Sequence, residues 1–95
     1  MTNLEGKRVI ISVVGLDRVG IIAAVSNLLA EAKVNILDIS QTILQGFFTM
    51  VMVVDMANSN LDIAALREVL TRKGEELQVE ITAQHEDLFR FMHRI

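Results

Sequence analysis

Along this chain the spacing of apolar residues switches between two periods, and each switch marks an element. Arg8 to Val14 is a β-branched run of strand length, Gly20 to Ala32 repeats at helical spacing, and Asn35 to Leu44 is strand-like again. Within the helical segment Ile21, Ile22, Val25, Leu28, Leu29 and Ala32 form one stripe, with Ser26, Asn27 and Glu31 pointing away from it. Gln45-Gly46 predicts a tight hairpin turn into a long apolar strand, Phe47 to Asp55. Phe47, Val51 and Val53 fall on one side of that strand and Phe48, Met50, Met52 and Val54 on the other, so it reads as a central strand covered on both faces. Ser59-Asn60-Leu61-Asp62 supplies a capping-box-like start to a second helix carrying Ile63, Leu66, Val69 and Leu70, with Arg72 and Lys73 at its negative end and Gly74 as a stop. Gln78 to Gln84 alternates as a fourth strand. The tail from His85 to Ile95 sets Leu88, Phe91, Met92 and Ile95 at helical spacing.

Two interleaved strand, helix, strand units with right-handed crossovers give one α+β domain over residues 1–95, with its core in 7–84 and a helical tail in 85–95. The expected architecture is ferredoxin-like βαββαβ: a four-stranded antiparallel sheet with both helices on one face, plus a short C-terminal helix. The other face then needs cover. Phe48, Met50 and Met52 on the third strand, with Leu88, Phe91 and Met92 on the tail, are the expected interface residues, because leaving large apolar side chains wet forfeits roughly 1.5 to 3 kcal/mol each. This reading makes the protein a homodimer.

Composition narrows the chemistry. Hydrophobic residues are 52% and charged residues 22% of 95, so the chain folds, and no apolar run approaches the roughly 20 residues that span a bilayer. Nor does the N-terminal stretch develop a signal-peptide pattern, so the expected location is cytoplasmic, without membrane attachment. The absence of cysteine excludes disulfides, thiolate zinc sites and cysteine nucleophiles. A net charge of -3 gives no footprint for direct nucleic-acid binding. Gly46-Phe47-Phe48 is a weak echo of the aromatic strand of RNA-recognition modules, lacking the leading basic residue and the aromatic on the first strand. His85 and His93 have no metal-ligand spacing, and no Ser, His and acid arrangement is present, so neither a metal, a cofactor nor a catalytic residue is expected.

The chemistry-bearing feature is Val13-Val14-Gly15-Leu16-Asp17-Arg18-Val19-Gly20-Ile21-Ile22, where a strand run passes through a Gly-flanked polar loop into a helix. Unpaired N–H groups and the positive end of the macrodipole can hold a small anion at such a helix start. Gly15 is expected to supply a positive φ at the strand end, and Gly20 to leave room for a ligand or a neighbouring strand.

This loop, extended through Ala23-Ala24-Val25-Ser26 and joined by Val34-Asn35-Ile36-Leu37-Asp38, resembles the ACT domain, with the similarity running from Lys7 to about Gln84. More narrowly the chain looks like the free-standing single-ACT proteins of bacteria and archaea, and its Asp-Arg-x-Gly-Ile loop is similar to the ACT parts of the glycine cleavage repressor and of formyltetrahydrofolate deformylase. The resemblance implies a regulatory, non-enzymatic module that binds an amino acid or related metabolite at a dimer interface. It would use the first loop, the start of the first helix and the second strand: Gly15, Leu16, Asp17, Arg18, Val19, Gly20, Ile21, Asn35, Ile36 and Asp38. In that setting Asp17 either meets a ligand ammonium or caps the helix. Arg18 either clamps a ligand carboxylate or is a solvated first-turn cation. Asn35 either reads a ligand held by the partner subunit or serves the turn after Val34. Asp38, Ser40 and Thr42 are also explained by solvation of an edge strand. The alternative function is a ligand-independent protein-interaction module, or a transcription-regulator-associated ACT protein acting through a partner.

Overall fold

The computed structural model describes residues 8–87, which form β1 (Arg8–Leu16), α1 (Ile21–Glu31), β2 (Asn35–Leu44), β3 (Phe47–Asp55), α2 (Ile63–Leu77) and β4 (Val79–His85). All pairings are antiparallel and the sheet order is β2-β3-β1-β4, so the first and third strands are central and β2 and β4 are edges. Val9, Ile11 and Val13 of β1, Met50, Met52 and Val54 of β3, and Ile81 and Ala83 of β4 share one core with Ile21, Val25 and Leu29 of α1 and Leu66 and Leu70 of α2. Both helices therefore lie on one face, the ferredoxin-like α+β arrangement that the element order predicts.

That core corrects the interface expectation. Phe48, Met50 and Met52 are 3%, 0% and 0% exposed, buried by the chain's own helices rather than left for a partner. Alternation along β3 made its two apolar sides equivalent on paper, and the helices cover the side carrying the two methionines. The side turned away from them carries Phe47, Thr49, Val51 and Val53. Leu88, Phe91 and Met92, with the rest of the C-terminal helix pattern, lie outside the described residues.

The glycines also take different roles from those expected. Gly15 stays in β1 without a positive φ; a Cβ there would sit 2.6 Å from Val79 Cγ1 and 3.1 Å from Val79 Cα, so its bare backbone lets β4 approach. Gly15→Ala is expected to cost about 1 to 3 kcal/mol through overpacking, measured by urea unfolding. A loss below about 0.5 kcal/mol would mean that β4 yields without strain, against this account. Gly74 does not stop α2. It is buried inside the helix, where a Cβ would lie 2.7 Å from the Val79 carbonyl oxygen, and the helix ends instead at Gln78 in the left-handed region, φ 61°. Glu75 and Glu76 are consequently helical, and Glu76 pairs with Lys73 at 3.0 Å. At the other end Asp62 is the N-cap, its Oδ1 accepting from the Ala65 N–H at 2.8 Å.

Candidate functional site

The loop between β1 and α1 is held at both sides. Gln45 and Gly46 both have positive φ, 52° and 84°, the backbone of a tight two-residue hairpin loop, and the Gly46 carbonyl accepts from the Asp17 N–H at 3.0 Å. Arg18 reaches the other way, its Nη1 donating to the Leu77 carbonyl at 2.9 Å and to Gln78 Oε1 at 3.2 Å. A guanidinium at the carbonyl end of α2 is well placed against the negative end of that helix's dipole. Arg18 is therefore neither a free clamp nor merely solvated: it ties the loop to the end of α2.

Gly20 is the N-cap of α1, in the left-handed region at φ 96°, and no side chain caps this end. Asp17 thus does not take the capping role, and its carboxylate accepts no hydrogen bond among the described residues. The first helical bond runs from the Ala24 N–H to the Gly20 carbonyl at 2.9 Å, which leaves the N–H groups of Ile21, Ile22 and Ala23 without intrahelical partners. No acidic residue occupies the first turn. Gly20 owes its place to its φ, since a Cβ would meet nothing within 4 Å, the reverse of the division of labour expected for Gly15 and Gly20.

This end of α1 opens onto a groove of about 230 Å³. One wall is Asp17, Arg18, Gly20 and Ile21, continued by Ile22 and Ala23; the other is Gln41 and Ile43 of β2, with Phe48 behind. Sequence reasoning named the first four as ligand-binding and ran the candidate loop through Ile22, assigned Phe48 only to an interface, and missed Gln41 and Ile43. Of the other named residues, Gly15 lies against Val79, Leu16 is 62% exposed on the helix-free sheet face, and Val19 projects fully into solvent. Asn35 pairs with Asp55 and Leu44 with Phe47, so Asn35, Ile36 and Asp38 stand at the far end of β2 from the loop of their own chain. A bulge at Leu37 separates Ile36 from Asp38, whose Oδ1 accepts from the Ile39 N–H at 2.9 Å. The signal for Gln41 and Ile43 was present in the alternation of β2, but only the register places them beside Gly20.

A second groove, about 330 Å³, runs between α2 and β4. Its cation, Arg67, already donates through Nε to the Ala83 carbonyl at 2.8 Å, which occupies part of the β4 edge. Among the described residues no group of three or more His, Cys, Asp or Glu side chains is placed to hold a metal ion, and no helix is long and apolar enough to cross a membrane.

The profile of the ACT domain family matches residues 7–84. The chain belongs to the ACT domain family. A UPF0237 protein of Methanocaldococcus jannaschii is 53% identical to this ACT domain over 88 residues, covering 93% of this chain and 98% of its own length. Among solved structures, an ACT domain protein from Streptococcus pneumoniae superposes with a TM-score of 0.78 at 41% identity, covering 90% of this chain and 96% of that one. A formyltetrahydrofolate deformylase from Pseudomonas syringae pv. tomato matches with a TM-score of 0.76 at 29% identity, over 83% of this chain but 28% of its own. The same ACT fold therefore stands nearly alone in the first two proteins and forms a minor part of the third.

Proposed function

We propose that this ACT domain is a non-enzymatic regulatory module that holds a small α-amino acid or a close relative in the groove between the loop, α1 and β2. The observation that carries this reading is the uncapped start of α1 at the groove wall. Three N–H groups without intrahelical partners meet no acid in the first turn, which suits a carboxylate, while the Asp17 carboxylate at the rim, which accepts no hydrogen bond among the described residues, suits an ammonium. Ile22 and Ile43 supply apolar walls for a side chain.

A homodimer completes the site in this reading. The β4 edge is partly taken by Arg67, whereas β2 is exposed along nearly its whole length. Antiparallel pairing of two β2 edges about Ser40 brings the partner's Asp38 level with Thr42 and, because the bulge at Leu37 takes one residue out of register, the partner's Ile36 level with Ile43 at the groove wall. Ile36, opposite Val54 on the helix side of the sheet, then borders the groove of the opposite subunit although it is remote from its own, whereas Asn35 and Asp38, opposite Asp55 and Val53, stay on the helix-free face. A ligand that binds only the assembled pair stabilises it by mass action and alters the surface shown to a target protein.

Thermal unfolding against the twenty amino acids tests the proposal. At about one hundred times Kd a native-state ligand adds roughly 2.7 kcal/mol, a midpoint shift on the order of 10 °C for a domain of this size. Asp17→Ala is expected to abolish most of the shift with little change in the unliganded midpoint. No shift for any amino acid, in protein shown to be folded, defeats the reading.

A further inference from the structure

Exposure changes steeply along the helix-free face of β1. Val9, Ile11 and Val13 face the helices, so Arg8, Ile10, Ser12, Val14 and Leu16 turn to the other side. Within that row Leu16 is 62% exposed and Val14 45%, but Ile10 only 7%. The flanking strands follow the same gradient. Phe47 and Thr49 of β3 are exposed while Val51 and Val53 are half-buried, and Thr82 of β4 is exposed while Gln84 is half-buried. Sheet neighbours do not explain the difference, because Val14 lies between Thr49 and Glu80 just as Ile10 lies between Val53 and Gln84. Nor do α1 and α2, which pack on the opposite face.

The chain leaves β4 beside the covered residue, since Gln84 pairs with Ile10 and His85 with Val9. Just beyond, Glu86 meets Arg8 at 3.4 Å, and Arg8 shares the face of Ile10. Glu86 and Asp87 are helical. The sequence continues with Leu88, Phe91, Met92 and Ile95 at helical spacing, one apolar stripe with Arg90, His93 and Arg94 outside it. A helix over residues 86–95 is about 15 Å long, enough to cross from β4 over β1 to β3 at about 4.8 Å per strand. Leu16 stands about 20 Å further along β1 than Ile10, beyond that reach, in keeping with its exposure. Residues 1–7 offer a poorer cover, with Met1 and Leu4 as their only large apolar side chains.

We infer that residues 88–95 pack back as a helix on the helix-free face of their own subunit, with the stripe of Leu88, Phe91, Met92 and Ile95 over Ile10, Val51 and Val53. This strap closes one end of the face and does not depend on the groove binding anything. Because the chain has no cysteine, a single introduced thiol reads the cover directly. Ile10→Cys is expected to react with a maleimide at least roughly tenfold more slowly than Val14→Cys on the same strand and face. Adding Phe91→Asp is expected to raise the Ile10→Cys rate roughly tenfold or more, while Ile11→Cys, 0% exposed beneath the helices, stays slow. Far-UV circular dichroism checks that each variant is folded, and Met92→Gln, a milder change on the same stripe, carries the test if Phe91→Asp is not. The protection of Ile10→Cys is expected to hold over about a hundredfold range of protein concentration, as a contact within one subunit must. Equal rates for Ile10→Cys and Val14→Cys, or no acceleration when the stripe is altered, overturn the inference. Protection that fades on dilution overturns it in favour of a second copy, and protection lost in Leu4→Asp instead of Phe91→Asp in favour of the N-terminal segment. Equal acceleration at Ile11→Cys also overturns it, because the tail would then support the whole fold rather than cover one face.

Discussion

Met50→Ala is expected to lower the stability of the domain by about 2 to 5 kcal/mol, a large share of what a chain of this size possesses. Met50 is 0% exposed, pairs with Val13 across the two central strands, and belongs to the cluster formed with α1 and α2. Truncation there loses the transfer energy of the side chain and leaves a cavity that the flanking β-branched residues cannot readily fill. Phe47→Ala, three positions away but on the opposite face and 55% exposed, is expected to change the stability of the single subunit by less than about 1 kcal/mol. Urea unfolding of both variants, at protein concentrations low enough to disfavour association, gives the comparison. Similar losses in the two would mean that the helices do not distinguish the faces of β3 as described.

Ala23→Trp should remove ligand binding, with an affinity loss of about a hundredfold or more, while leaving the fold intact. Ala23 is exposed and lines the groove from the first turn of α1, so a large ring there fills much of the roughly 230 Å³ without entering the core. Alanine is a better helix former than tryptophan, but the difference is only a few tenths of a kcal/mol at one exposed position. The variant keeps Asp17, Arg18 and every N–H of the helix start, so lost binding would report on the volume of the groove rather than on any single polar group. Titration calorimetry with an amino acid that shifts the unliganded protein's midpoint measures it. Retained affinity would place the ligand elsewhere, with the groove between α2 and β4 the next site to examine.

Arg18 shows why site residues are harder to read than elements. An arginine next to an exposed acid, just before a helix start, suggests a carboxylate clamp from sequence neighbours alone. Its hydrogen bonds go instead to Leu77 and Gln78, 59 and 60 residues along the chain, and no local pattern encodes that meeting. Asn35 and Asp38 illustrate the same point in reverse. Their position after Val34 is plain in the sequence, but their distance from the loop of their own chain follows from the pairing of β2 with β3, which runs Asn35 away from it.

The sequence by itself determined the order and type of the elements, the hairpin at Gln45-Gly46, the helical stripe of α1 and the family to which the chain belongs. These are carried by neighbouring residues: apolar period, turn chemistry and a contiguous loop motif act over a few positions and need no partner far along the chain. Only the tertiary structure decided which side of β3 the helices bury, why Gly15, Gly20 and Gly74 are glycine, and which β2 residues face the start of α1. Each of those depends on register or on close approach between elements distant in sequence. A strand with two apolar sides fits the core either way round until the helices and the pairing of all four strands choose one.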